Sequence, residues 1–329
     1  MRPALQGGPH GLLDSRRPPD MAILFHWDGA TPELWRDAFE AAGCGTDIRT
    51  FDAPGDHADV DFAVVWAPPA GRLKAFPDLK YIFSIGAGVT HITLDPDWPA
   101  HVPVVRLQDR LLVLDMSCHI IHWVLHFHRF YARYARQQAA ARWLRHRYPE
   151  NAERRVSILG LGQTGRDACI RLRDLGFPVT GWARSPKSIE GVRCLAGDEA
   201  FETVVSEADI LVNLLPLTDA TTGILDASVF GQMPEGSFII NCGRGSIVND
   251  ADLLAALDSG RIEGAALDVF REEPLPKDSP FWDHPAVSVT PHAAAPTNER
   301  SAAEFIAAQI RLAMDGGRPA PIVDLERGY

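Results

Sequence analysis

The sequence predicts an α/β protein built as two doubly wound domains, each around a parallel sheet. Short apolar runs rich in β-branched residues recur along the chain with helical patterns between them, as in βαβ units. The runs are too many for one sheet, and 329 residues are too many for one ordinary core.

Residues 1–20 contain Gly7, Gly8 and Pro9, then Arg16, Arg17, Pro18 and Pro19. This punctuation reads as a flexible extension, with Met21 as the natural first residue. From Ala22 the chain turns apolar as a buried strand does, and strands are expected at 21–27, 62–66 and 81–85. The segment 116–147, rich in His, Arg, Tyr and Ala, is expected to form one linker helix that also packs against something. Within it His119, His122, His126 and His128 recur at helical spacing. With no carboxylate in the cluster they read as a face for a partner subunit, a metal site being the alternative. Strands resume at 156–159, 179–183, 210–215, 238–241, 264–269 and 287–289, and an Ala-rich helix near 297–314 is expected to return to the first domain.

Composition narrows the function classes. Hydrophobic residues make up 46% and charged residues 23%, the balance of an ordinary globular protein. A formal net charge of −11 disfavours nucleic acid and anionic membranes as partners, so an anionic substrate needs a local cationic pocket. Cys44, Cys118, Cys169, Cys194 and Cys242 are scattered without paired spacing, which reads as reduced thiols with no zinc site. No apolar run looks long enough to span a bilayer and no secretory signal is evident, so the expected location is the cytoplasm.

The strand expected at 156–159 runs into Gly160, Leu161, Gly162, Gln163, Thr164 and Gly165, followed by a helix expected at 166–175. In that context the first glycine permits the tight turn, the second lets backbone approach a pyrophosphate, and the third lets helix pack on strand. The helix start offers N–H groups and positive partial charge to the phosphates. The alternative is a glycine-rich turn without a ligand. The next strand ends at Ala183 where NAD-preferring sites carry Asp or Glu, and Arg184, Ser185 and Lys187 follow, an arrangement suited to a 2′-phosphate. NADPH is therefore the expected cofactor, with NADH weaker; solvated loop charges are the alternative reading of Arg184 and Lys187.

Arg244, Glu273 and His292 lie in that order where strands are expected to end. Open α/β sheets bind ligands outside the carboxyl ends of their strands. A guanidinium can bind the carboxylate and carbonyl of a 2-oxo acid together, and an imidazole can protonate the oxygen as hydride reaches carbon. A carboxylate on the far ring nitrogen orients that imidazole and favours its charged form. Surface charges or helix caps are the alternative.

These residues sit in Asn241-Cys-Gly-Arg-Gly-Ser-Ile-Val-Asn-Asp, Gly264-Ala-Ala-Leu-Asp-Val-Phe-Arg-Glu-Glu-Pro-Leu-Pro and Thr290-Pro-His-Ala-Ala. With the glycine loop and Leu214-Leu-Pro-Leu-Thr-Asp-Ala-Thr-Thr-Gly, the chain resembles the D-isomer-specific 2-hydroxyacid dehydrogenases over nearly everything after Met21. Val64-Val-Trp-Ala-Pro-Pro, Gly86-Ala-Gly-Val, Trp182-Ala-Arg-Ser-Pro-Lys, Pro280-Phe-Trp-Asp-His-Pro and Val323-Asp-Leu-Glu-Arg-Gly-Tyr narrow the resemblance to the glyoxylate/hydroxypyruvate reductase A branch. Glu273 speaks against the formate dehydrogenase-like branch, which carries Gln there. At Leu111 to His119 the chain departs from many relatives, with Leu-Leu-Val-Leu and Cys118-His119 in place of polar and Glu-Tyr residues.

The resemblance implies a Rossmann cofactor domain at 119–299 and a flavodoxin-like substrate domain formed by 21–118 and 300–329. It implies reduction of glyoxylate to glycolate and hydroxypyruvate to D-glycerate, with Arg244, Glu273 and His292 as catalytic residues. It places Ala87 and Gly88, through backbone N–H groups, on the substrate with Arg244, and it makes Trp66 a pocket residue or plain core. On the cofactor it places Asp268 at the nicotinamide amide, Leu215 and Pro216 on the adenosine side, and Cys242 just before the catalytic arginine, a structural role being the alternative for each. Trp143 is a candidate to reach the active site of a partner, and the long helix predicts a homodimer. Two alternatives stay open at this point: a dinucleotide-sensing corepressor or scaffold on the same fold, and a dehydrogenase for another D-2-hydroxy acid.

Overall fold

The computed structural model describes residues 21–45 and 47–324. The expected extension at 1–20 and the last residues, 325–329, lie outside the described residues. In chain order the first part contains β1 (Ala22–His26), α1 (Pro32–Ala41), β2 (Ile48–Arg49), β3 (Val60–Val65), β4 (Tyr81–Ser84), α2 (Thr90–Thr93) and β5 (Val104–Val105). Its strands form one parallel sheet in the order β2-β1-β3-β4-β5, the flavodoxin-like winding.

There follow α3 (Arg110–His128), α4 (Tyr131–Ala139), β6 (Val156–Leu159), α5 (Gln163–Asp174), β7 (Val179–Ala183), β8 (Arg193–Ala196), α6 (Asp198–Ser206) and β9 (Ile210–Asn213). Then come α7 (Ala227–Gln232), β10 (Ser237–Asn241), α8 (Asp250–Asp258), β11 (Ile262–Leu267), β12 (Val287–Val289) and α9 (Glu299–Met314). The second sheet is also parallel throughout, in the order β12-β11-β10-β9-β6-β7-β8, a Rossmann-type sheet.

Every residue of β6, β9 and β10 is buried, because helices cover both faces of a parallel sheet. That is why these strands read as unbroken apolar runs. The three strands absent from the sequence expectations, β2, β5 and β8, all stand at sheet edges. β2 and β5 are two residues long, too short for a pattern to show, and β8 is Arg-Cys-Leu-Ala with no fully buried position.

α1 opens with Pro32 in its first turn, where the missing N–H costs nothing, and buries Trp35 and Phe39. Those rings share a core with Ala302, Ala303, Ile306 and Ile310 of α9, so the last helix packs on the first sheet rather than the second. The chain then adds an antiparallel bridge from Ile322 to Val105.

The expected linker helix at 116–147 is corrected in three ways. It starts earlier, at Arg110, because the Asp109 carboxylate accepts from the Leu111 N–H and caps it. It stops at His128, because Phe130 takes a left-handed φ of 58°. α4 then runs only to Ala139, and Ala141, with φ 49°, turns the chain away. The 118/119 division expected between domains therefore falls inside a continuous helix, whose Leu112 joins the first core and whose Ile120, Trp123, Val124 and Phe127 join the second.

α3 also corrects the expectation that no apolar run is long enough to cross a bilayer, since by length and composition it is. Its apolar residues have protein to pack on: Phe127 stacks on Phe238 of β10 with ring centroids 4.6 Å apart. Of the four histidines, His119 accepts from the Trp123 indole N–H at 3.0 Å, and His128 is wholly buried against Tyr148 and Phe177.

Candidate active site

β10, β11 and β12 are neighbours in the sheet, and Arg244, Glu273 and His292 follow their carboxyl ends. The loop after β12 is held by Asp268, a buried carboxylate at the end of β11. Its Oδ1 accepts from Thr290 Oγ1 at 2.6 Å and from Ala293 N at 2.8 Å, and its Oδ2 accepts from Ala294 N at 3.1 Å. The Asp268 carbonyl takes the His292 N–H at 2.8 Å. These bonds brace His292 at φ 49°, a conformation an L-residue keeps only when its surroundings enforce it.

So fixed, His292 donates from Nδ1 to Glu273 Oε2 at 2.7 Å, because a carboxylate can only accept. Glu273 is itself aimed by the Phe270 N–H, which donates to Oε1 at 2.9 Å. Nε2 is the ring nitrogen left for a substrate. Both side chains are partly open to solvent, at 45% and 36%, so a small molecule can reach them.

The Arg244 loop is positioned by two buried amides. Asn213 and Asn241 pair in register at the ends of β9 and β10, with Asn213 Nδ2 donating to Asn241 Oδ1 at 2.9 Å. Asn241 Oδ1 also accepts from Gly243 N, and Asn241 Nδ2 donates to the Arg244 carbonyl at 3.3 Å. A Cβ on Gly245 would stand 1.8 Å from the Phe270 carbonyl carbon, so the loops bearing Arg244 and Glu273 touch backbone to backbone. The guanidinium donates to the Gly243 carbonyl at 2.7 Å. Burial lowers its proton affinity and the Glu273 carboxylate opposes that shift.

Arg244 reaches the first sheet at Gly88, where a Cβ would lie 1.9 Å from Nη2. The backbone of 86–88 is shaped by buried Ser84, whose hydroxyl bonds the carbonyls of Gly86 and Gly88 at 2.9 and 3.0 Å. Ala87 is exposed at the tip of that turn. Trp66, just past β3, lies against Gly86, and a Cβ there would meet its Cζ3 at 2.3 Å.

His91 belongs to this group although sequence reasoning passed over it. Its ring centroid is 4.2 Å from that of Trp66, and burial, then the Arg244 charge, push its proton affinity down to about 4, against a smaller opposing effect of the Val65 carbonyl. The unfolded chain, with an ordinary histidine near 6.5, binds more protons between these values, so the folded state loses stability as pH falls from about 6.5 to about 4. His91→Phe is expected to remove on the order of 2 kcal/mol of that acid loss, read from denaturant melts of both proteins across the window.

The glycine loop has the shape a dinucleotide needs. Gly160 takes φ 102° with its Cα against the Leu214 carbonyl, and a Cβ on Gly165 would stand 1.9 Å from the Gly160 carbonyl oxygen. Nothing stands within 4 Å of a Cβ on Gly162, which leaves room for a pyrophosphate. The helix starts at Gln163 rather than at the expected 166, with Gly162 as its cap, so the free N–H groups belong to Gln163, Thr164 and Gly165. Gly165→Ala is expected to cost ~1–3 kcal/mol of stability, seen in thermal melts, and to weaken dinucleotide binding about tenfold by titration.

The remaining sequence candidates fall into place around this loop to different degrees. β7 ends in buried Ala183, and Arg184, Ser185 and Lys187 are exposed beyond it. Leu215 is buried, and the Pro216 carbonyl accepts from Thr221 Oγ1 at 2.6 Å. Cys242 is buried beside Asp268, and desolvation pushes its thiol far up, which leaves it unreactive. Trp143 is fully exposed beyond α4. Asn213, Asn241 and Asp268 as loop anchors carry one sequence signal, a polar residue closing an apolar strand.

Residues 121–294 match the family described as D-isomer specific 2-hydroxyacid dehydrogenase, NAD binding domain. The chain is 38% identical over 315 residues to glyoxylate/hydroxypyruvate reductase A of Yersinia enterocolitica, covering 94% of this chain and all of that protein. Among solved structures, a D-isomer specific 2-hydroxyacid dehydrogenase from Xanthobacter autotrophicus in complex with NADPH and MES superposes with a TM-score of 0.90 at 39% identity, over 94% of this chain and 99% of that one. The NADPH-dependent glyoxylate/hydroxypyruvate reductase of Sinorhizobium meliloti with NADP and sulfate gives 0.87 at 36% identity, over 94% and 100%.

Proposed function

The chain belongs to the D-isomer specific 2-hydroxyacid dehydrogenases, and from that premise we propose that it reduces small 2-oxo acids with NADPH, glyoxylate to glycolate and hydroxypyruvate to D-glycerate. One observation carries the reading: a His292–Glu273 pair at 2.7 Å on neighbouring strand ends from Arg244, whose guanidinium touches Gly88 of the other sheet. Two of the relatives named above, from Yersinia enterocolitica and Sinorhizobium meliloti, are named glyoxylate/hydroxypyruvate reductases.

Gly160 to Gly165 would hold the reduced dinucleotide, which would supply the hydride that C2 of the substrate takes up. The chain's own groups meet the charge this creates. Ala87 and Gly88 present backbone N–H groups to the substrate carboxylate, and Arg244 spans carboxylate and carbonyl oxygen. As negative charge grows on that oxygen, His292 Nε2 gives it a proton, and Glu273, on Nδ1, holds the ring in line and stabilises its charged form. Hydride on carbon and proton on oxygen complete the 2-hydroxy acid. The domain around the first sheet closes on the domain around the second and excludes water from the transfer.

The absence of a carboxylate at Ala183 and the exposed Arg184, Ser185 and Lys187 support NADPH over NADH. Only 39% of α3 is buried inside one chain, which supports a homodimer formed over this helix. Free cysteines throughout the described residues support a reducing compartment, the cytoplasm.

The reading is tested by following NADPH oxidation with glyoxylate and hydroxypyruvate, then with NADH. Turnover with both acids and a lower KM for NADPH are expected. Replacing Arg184 and Lys187 together by alanine is expected to raise the KM for NADPH about tenfold or more and leave that for NADH unchanged. No turnover sinks the enzyme reading, and faster turnover with NADH sinks the cofactor assignment.

A further inference from the structure

The indole of Trp66 has two close neighbours. One is the bare backbone of Gly86, where a Cβ would come within 2.3 Å of the ring. The other is the His91 imidazole, centroid to centroid 4.2 Å and tilted by 40°. His91 Nε2 is 3.5 Å from Ser84 Oγ, the hydroxyl that bonds the carbonyls of Gly86 and Gly88. The ring packed on the tryptophan is thus also a neighbour of the hydroxyl that shapes this turn.

His91 is not placed to exchange protons with that substrate. Nε2 faces Ser84, the Val65 carbonyl engages the imidazole from β3, and Arg244 is the charged group facing it from the other sheet. A neutral ring between a hydroxyl and a carbonyl serves packing and orientation. Trp66 is partly exposed and lies against Gly86, two residues from the Gly88 that Arg244 meets, so it presents a flat surface beside that turn.

We propose that His91 is a positioning residue that clamps Trp66 as a rigid wall beside Ala87 and Gly88, and that this clamp sets the size limit on the substituent at C2 of the 2-oxo acid. The proposal rests on the 2-oxo acid reductase reading. A rigid wall rejects added methylenes by steric exclusion, whereas an indole freed on one face can swing aside and admit them. Discrimination by such a pocket runs at about 10–200-fold per methylene.

The test compares wild type, His91→Ala, His91→Phe and Trp66→Ala with NADPH and four acids: glyoxylate, hydroxypyruvate, 2-oxobutyrate and phenylpyruvate. Wild type is expected to favour the two small acids. His91→Ala is expected to raise the ratio of kcat/KM for phenylpyruvate over glyoxylate about tenfold or more, with the glyoxylate penalty in KM rather than kcat. His91→Phe keeps a ring against the indole and is expected to retain the wild-type ratio, which a role confined to general stability would not produce. Trp66→Ala is expected to shift the ratio in the same direction as His91→Ala, and it stands in for that variant should His91→Ala fail to fold. A wild type that prefers phenylpyruvate overturns the proposal. So does a ratio unchanged in both alanine variants, or a His91→Phe that behaves as His91→Ala. A wild type that reduces none of the four acids overturns the reductase reading and the proposal with it, a result distinct from an active enzyme whose ratio does not move.

Discussion

His292→Ala is expected to lower kcat by a factor on the order of 10²–10⁴ with either substrate and to leave NADPH affinity unchanged. Among the described residues the imidazole is the one side chain bonded to Glu273, and alanine removes the proposed proton donor without touching the glycine loop. The backbone at this position has φ 49° and is held by Asp268, so the loop keeps its course when the side chain is shortened. Stopped-flow binding of NADPH and steady-state turnover, measured on the same preparation, separate the two quantities. Loss of cofactor binding together with turnover would show that the variant has damaged the fold rather than the acid.

Arg244→Ala is expected to lower kcat/KM by about 10²–10³-fold, through a raised KM for the oxo acid and a lower kcat together. One guanidinium serves both the ground-state carboxylate and the developing oxyanion, so neither constant escapes. Arg244→Lys is expected to recover little of it. A lysine has a point charge where the planar fork bonds the Gly243 carbonyl, lies on Gly88 and still presents N–H groups to the cleft. Kinetics of both variants with glyoxylate check this, and a lysine variant within about threefold of wild type would show that charge alone suffices.

Much of this architecture can be read in the amino-acid sequence because parallel sheets are buried on both faces. β6, β9 and β10 are apolar from end to end, and each ends in a loop whose residues have visible chemistry. Gly160, Gly162 and Gly165 are legible for the same reason, since close backbone approach admits no other residue at Gly165. The edge strands β2 and β5 escape because they are only two residues long, and β8 because it has no buried face. The break after α3 escapes because Phe130, not a glycine or proline, takes the left-handed conformation. His91 escapes for a different reason: its neighbours Trp66, Ser84 and Arg244 come from separate strands and, for Arg244, from the other sheet. Nothing in Thr90, His91 and Ile92 announces such a meeting.

Asp268 shows how a site residue can be visible while its work is not. The sequence places an acid at a strand end, and resemblance assigns it to the cofactor. The structure occupies its carboxylate with Thr290, Ala293 and Ala294, so its evident work is to hold His292 in position. Glu273 is the reverse case, since its pairing with His292 follows directly from the ordered triplet.

The central claim is hydride transfer to C2 of a 2-oxo acid within the cleft formed by Arg244, His292 and the loop of Gly86 and Gly88. It is tested most directly by reducing hydroxypyruvate with NADPH deuterated at the transferring position and examining the product by mass spectrometry and chiral chromatography. The account predicts D-glycerate carrying a single deuteron at C2. L-glycerate, or D-glycerate with no deuterium at C2, would contradict it.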